Sequence, residues 1–172
     1  MLQSRIPGLA PVCDRWPPPA GLGRLRDTMG PAIRIHSLAE ARIALDAARA
    51  LGRPVTLVSA RGAAGYAGPG WWRALVAIAR SEYPDVAMTT LLDCDDAAGD
   101  VLASLREGVE RVRFGGRADV AAKLRAIAVQ LGAEVVVELP LGLDLGGLRD
   151  PRLACRVWLR DDPAPVEGRR DD

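Results

Sequence analysis

The sequence reads as an α/β domain: a parallel sheet of about five to six strands with alternating helices, a partial TIM-barrel-like arrangement. Three observations predict this. Strand-like and helix-like segments alternate five times between Pro31 and Leu159, the pattern of right-handed crossovers onto a parallel sheet. Three of the helical segments stop at a glycine (Gly52, Gly108, Gly132), the residue that ends a helix at least steric cost. The stretch Glu134 to Glu138 (EVVVE) is a continuous valine run, as expected of a strand covered on both faces. A complete eight-unit barrel typically needs about 250 residues. The chain has 172.

Each element has its own signal. Ala32 to His36 (AIRIH) alternates apolar and polar residues and reads as a strand. Ser37 with Glu40 forms a capping box. Leu38, Ala41, Leu45 and Ala48 then recur at helical spacing up to Gly52. Pro54 to Ser59 (PVTLVS) is the second strand. A glycine-rich loop from Arg61 to Gly70 leads into a helix over Trp71 to Ser81, whose opening Trp71-Trp72 pair places one indole in the core and leaves the other for an interface. Val86 to Leu92 is the third strand, followed by a helix from Ala97 to Glu107 capped by Asp95 or Asp96. Val112 to Phe114 is a short fourth strand. Ala118 to Leu131 is a helix, and Glu134 to Glu138 the fifth strand. Beyond it, Arg152 to Leu159 (RLACRVWL) is apolar and β-compatible, and is expected to add a sixth strand that covers an open edge. A homodimer through a helical face is expected as well.

Residues 1–30 contain five prolines and no periodicity, and residues 161–172 are charged and unpatterned. Both read as disordered flanks of a single domain over 31–160, with Met29 a second candidate start. Apolar residues make up 49 % and charged residues 26 %, values of an ordinary globular protein. The 23 basic and 22 acidic side chains leave a net charge of +1, so electrostatics give no case for nucleic acid or an anionic membrane as partner. No apolar run is long enough to span a bilayer. Three widely spaced cysteines (Cys13, Cys94, Cys155) do not form a disulfide framework. With no secretory h-region at the N-terminus, a cytoplasmic location is expected.

In a parallel α/β sheet the working groups lie at the C-terminal ends of the strands. Those positions hold His36 and Ser37, Ser59 and Arg61, Asp93 to Asp96, Gly115 to Arg117, and Glu138. The stretch from Ala32 to Gly68 resembles the start of the class II, metal-dependent ketose-bisphosphate aldolases. Ser59-Ala60-Arg61-Gly62-Ala63-Ala64-Gly65-Tyr66-Ala67-Gly68 follows that family's Ser-x-Gly-Ala-x-x-Tyr-x-Gly loop with one extra spacing before the tyrosine. Leu91-Leu92-Asp93-Cys94 stands where the family has Leu-Asp-His, and Val137-Glu138-Leu139-Pro140, with Gly146-Gly147 beyond, where it has Glu-x-Glu-Leu-Gly and a glycine pair.

The resemblance implies Asp93 as an acid/base group and Ser59, Gly62 and Glu138 as substrate-site groups. It also exposes departures. The family's first zinc histidine is Cys94 here, and its asparagines fall at Arg34 and Ser37. The later zinc histidines and phosphate-binding loops belong to barrel units absent from this sequence. A thiolate is a good zinc ligand. However, His36, the one histidine, aligns with a position that is not a family ligand, so zinc is not favoured and no metal site is assigned. Two readings follow. One is a degenerate aldolase relative that binds a small molecule or partner without catalysis. The other is a small lyase or carbonyl-active enzyme with Asp93 as acid/base and Cys94 as metal ligand or nucleophile.

Overall fold

The computed structural model describes residues 29–139 and 141–161. The flanks expected at 1–30 and 161–172 fall outside this range except for residues 29, 30 and 161. Twelve elements follow in order: β1 (Ala32–Ile35), α1 (Leu38–Leu51), β2 (Val55–Ser59), α2 (Ala63–Tyr66), α3 (Gly68–Glu82), β3 (Met88–Asp93), α4 (Ala98–Arg106), β4 (Arg111–Arg113), α5 (Ala118–Gln130), β5 (Glu134–Val136), β6 (Gly142–Asp144) and α6 (Pro151–Asp161). All strand pairings are parallel, and the order across the sheet is β5-β4-β3-β2-β1-β6. The sheet is α/β as the alternation predicts, and it is not closed, since β5 and β6 do not pair.

One connection decides its shape. β5 and β6 stand at opposite ends of the strand order, yet only residues 137–141 join them. In a flat sheet at ~4.8 Å per strand the two would lie about 24 Å apart. Six residue steps reach about 22 Å at full extension, and this link must also return from the C-terminal end of β5 to the N-terminal end of β6. The sheet is therefore curled. Its convex side carries Ile33, Ile35, Val55, Leu57, Leu92, Val112 and Val135 into the main core beneath the helices. Its concave side holds a separate small cluster of Ala32, Val58 and Leu91, against which Val136 and Leu139 pack. The two-residue alternation of each strand divides the residues between these faces.

The helix boundaries follow from capping. Ser37 Oγ accepts the Glu40 N–H at 3.2 Å, and Glu40 Oε2 accepts the N–H of His36 at 2.6 Å. Gly52 ends α1 in the left-handed region at φ 61°. Between β2 and α3 the structure corrects the expected loop: residues 63–66 form α2, and α3 starts at Gly68, with Pro69 in its first turn. Proline suits that turn because its missing N–H has no helical partner there. Trp72 is fully buried, whereas Trp71 is half-buried against the core instead of free.

A second correction concerns the sixth strand. Residues 152–159 form part of α6, not a strand, and the sixth strand is Gly142–Asp144. Asp150 Oδ1 accepts the Leu153 N–H at 2.9 Å, which caps a helix with Pro151 in its first turn. Cys155 and Leu159, four apart, are its buried residues. That helical spacing outweighs the β preference of Val157 and Trp158. α6 packs on α1 and β6.

Two outcomes check this account. Leu159 is fully buried and Val157 is exposed, so Leu159→Ala should cost about 2–5 kcal/mol in denaturant unfolding while Val157→Ala costs under about 0.5; a strand pairing through this segment would not produce that contrast. The second concerns Arg80 and Glu110, which join α3 to the start of β4 through two bonds of 2.9 and 2.8 Å. The Arg80 guanidinium holds the Glu110 carboxyl below its ordinary value of 4.5. Its stabilisation is thus complete above that pH and lost as pH falls through the lowered value. Glu110→Gln should remove about 1 kcal/mol at pH 7 and flatten the acid limb of the stability profile below about pH 4.5.

Candidate functional site at the C-terminal strand ends

Curling brings the C-terminal ends of β1 to β4 and β6 together, and the side chains there form one connected set. Asp93, the last residue of β3, is fully buried. Its N–H donates to Ser59 Oγ at 2.9 Å, and Oδ1 accepts the N–H of Asp95 at 2.8 Å and of Gly62 at 3.3 Å. Gly62 sits at φ 63°, a left-handed conformation open to glycine at little cost. Three of the sequence candidates, Ser59, Gly62 and Asp93, thus meet.

Around them runs a chain of opposite charges. Arg34 Nη1 lies 3.6 Å from Asp93 Oδ2, and Arg113 Nη1 lies 3.5 Å from Asp93 Oδ1. Arg113 also approaches Asp95 at 3.4 Å, and Arg61 grips Asp95 through two bonds of 3.1 Å. On the other side Arg34 Nε is 3.8 Å from Asp144, which accepts from His36 Nε2 at 2.8 Å and from the Gly146 N–H at 2.9 Å. Arg61 holds the Asp95 carboxyl below its ordinary value. Burial raises that of Asp144, but His36 and the Gly146 N–H outweigh it and leave the carboxyl lowered. Asp95 is the one non-glycine residue at positive φ among the described residues, at 49°. Gly115 leaves room for the guanidinium, since a Cβ there would collide with Arg113.

The contacts of Arg34 and Arg113 are longer than the two-pronged ion pairs, and share their length with Arg152–Asp46 at 3.6 Å. On the helical surface Arg42–Glu82, Arg80–Glu110 and Arg117–Asp119 are two-pronged, with bonds of 2.6–3.0 Å. The side chains of Arg34 and Arg113 are only 21 % and 19 % exposed. Yet their carboxylate distances of 3.4–3.8 Å exceed ordinary charge-assisted bonds of about 2.7–2.9 Å. Arg113 Nε and Asp93 Oδ2 are buried without a hydrogen-bond partner.

The remaining candidates stand apart. Cys94 is fully buried, with Sγ 3.8 Å from Ser104 Oγ on α4. Burial pushes its thiol up to about 12, which disfavours the thiolate needed for attack or metal ligation. Glu138 is exposed beyond the end of β5, and no hydrogen bond or ion pair among the described residues links it to Ser59 or Asp93. Asp95 and Asp96 do not cap α4. The cap residue is Ala97, with no side-chain bond, because the Asp95 carboxylate is taken by arginines. Among the described residues no three His, Cys, Asp or Glu side chains come close enough to share a metal ion. With Cys94 turned into the core and Asp93 flanked by two arginines, these residues do not fit zinc.

Behind Arg34, inside the curl, lies a cavity of about 50 Å³ lined by Ala32, Arg34, Val58, Leu139 and Gly142. At ~10–15 Å³ per water-sized occupant it holds about three to five non-hydrogen atoms. Arg34, Arg113 and Asp144 carry the site, and the sequence reading left all three unassigned. The signal available for two of them was an arginine at a concave-facing position of an alternating strand, where an apolar or small residue is usual.

No protein-family model matches the chain. It is similar to a fructose-bisphosphate aldolase of Xanthobacter flavus, 29 % identical over 86 residues. That match covers 50 % of this chain, and the chain spans about a quarter (24 %) of that relative's length. The similarity is consistent with an aldolase-related protein. Among the described residues no helix is long and apolar enough to cross a membrane.

The state of Cys94 can be read directly. Iodoacetamide at pH 8 should leave the Cys94 peptide unlabelled in the native protein and label it fully in denaturant, by mass spectrometry. Native labelling at the rate of a free thiol would contradict the burial described above.

Proposed function

We propose that this chain is a degenerate relative of the class II aldolases that binds a small molecule within its curled sheet and does not catalyse aldol cleavage. One observation carries the reading: the strand ends are occupied by their own arginines and aspartates. Arg34, Arg61 and Arg113 face Asp93, Asp95 and Asp144, so the formal charges cancel. An acid/base carboxylate needs a reacting proton within hydrogen-bond reach. Asp93 Oδ1 is instead committed to two backbone N–H groups, and Oδ2 is sealed behind Arg34.

Sugar bisphosphates need anion-holding loops and helix N-termini, whereas Arg34 is the one cation among the described residues lining the cavity. The lyase alternative keeps one supporting contact, the Asp93–Ser59 bond at the strand ends. Burial disfavours a thiolate at Cys94, and the described residues offer no ligand set for zinc.

Purified full-length protein should carry well under one zinc per chain and should not cleave fructose 1,6-bisphosphate, with or without added zinc. Stoichiometric zinc that disappears in Cys94→Ala, or turnover that disappears in Asp93→Asn, would overturn the reading in favour of the enzyme.

A further inference from the structure

We infer that the cavity beside Arg34 takes a small uncharged molecule with a hydrogen-bond acceptor and a short aliphatic part, such as a two- or three-carbon ketone, aldehyde or amide. The inference rests on the binding reading above and gives it a ligand chemistry.

Donor capacity comes first. A guanidinium carries five N–H donors and no acceptor. Among the described residues Arg34 makes one hydrogen bond, from Nη1 to the Ser59 carbonyl at 3.3 Å, and its ion contacts at 3.6 and 3.8 Å are too long to be others. Arg34, four-fifths buried, is the charged residue among the described lining of the cavity. Among the described residues the rest of the lining is Ala32, Val58, Leu139 and Gly142, which offer apolar surface and backbone. A ligand must therefore present an acceptor to Arg34 and carbon to the rest.

Charge then separates neutral from anionic acceptors. Asp93 Oδ2 and Asp144 Oδ2 both face Arg34 within 4 Å. Beyond them Arg113 neutralises Asp93 and His36 bonds Asp144. A carboxylate placed on Arg34 would meet two like charges in a partly dry site, whose repulsion exceeds that in water several-fold. A neutral carbonyl oxygen gains the same N–H donors without that repulsion. The space of about 50 Å³ accommodates about three to five non-hydrogen atoms. A ligand this small binds weakly, in the range of about 0.1 to 10 mM.

Acetone and acetate are near-isosteric probes that differ in charge. In a titration of the ¹⁵N-labelled full chain followed by NMR, acetone should produce saturable shifts at the amides of Arg34, Val58 and Gly142, and acetate at the same ionic strength should not. Arg34→Lys keeps the charge but loses the fork, and should weaken acetone by about tenfold or more. Val58→Ile adds one methyl group to the cavity and should abolish the shifts while the spectrum stays dispersed. Acetate binding as well as acetone would overturn the neutral-ligand inference. So would the absence of saturable shifts with acetone, or unchanged acetone affinity in both folded variants. The non-catalytic reading is judged separately by zinc content and turnover, so the two fail independently.

Discussion

The link from β5 to β6 is the constraint on which the rest of this architecture depends. Five residues cannot carry the chain between the outer strands of a flat six-strand sheet, so the sheet curls. From the curl follow a concave side with its own apolar cluster, convergence of the strand ends, and the juxtaposition of side chains from β1, β3, β4 and β6. Arg34, Asp93, Arg113 and Asp144 lie on four different strands, far apart in sequence. Their meeting is a property of the curled, open sheet.

Within that geometry, arginine makes two kinds of contact. Two-pronged, hydrogen-bonded pairs such as Arg80–Glu110 tie one element to the next, and Arg61–Asp95 does so at the strand ends. Arg34 and Arg113 sit in a shared field of three carboxylates at longer range, as Arg152 does beside Asp46. The first arrangement satisfies both partners. The second leaves Arg113 Nε and Asp93 Oδ2 buried without a hydrogen-bond partner, an arrangement uncommon in folded proteins.

Much of the fold was legible because its signals are local. Ser37, Gly52, Gly108 and Gly132 mark helix ends through capping and left-handed turns, and these depend only on adjacent residues. The apolar alternation of β1 and the valine run of β5 placed strands correctly to within two or three residues. The segment after residue 150 was misread because RLACRVWL satisfies both periods, and the Asp150-Pro151 start signal decides for helix. β6 was missed because three residues, Gly142 to Asp144, carry no periodicity at all. In the site, Asp93 with Ser59 and Gly62 was legible from strand-end logic. The arginines were not, because which concave residues face one another is set by the curl, a long-range property. Cys94 follows Asp93 directly and points to the opposite side, a distinction that strand alternation contains but that motif spacing hides.

The two edge strands of the sheet are short. β5 and β6 have three residues each. An exposed edge invites pairing with another molecule in proportion to the run of free N–H and C=O groups it offers. Three residues give a foreign strand little to align on, and Gly142 adds no side chain to grip it. The shortness of both edges therefore limits the run of backbone on which a second molecule could pair.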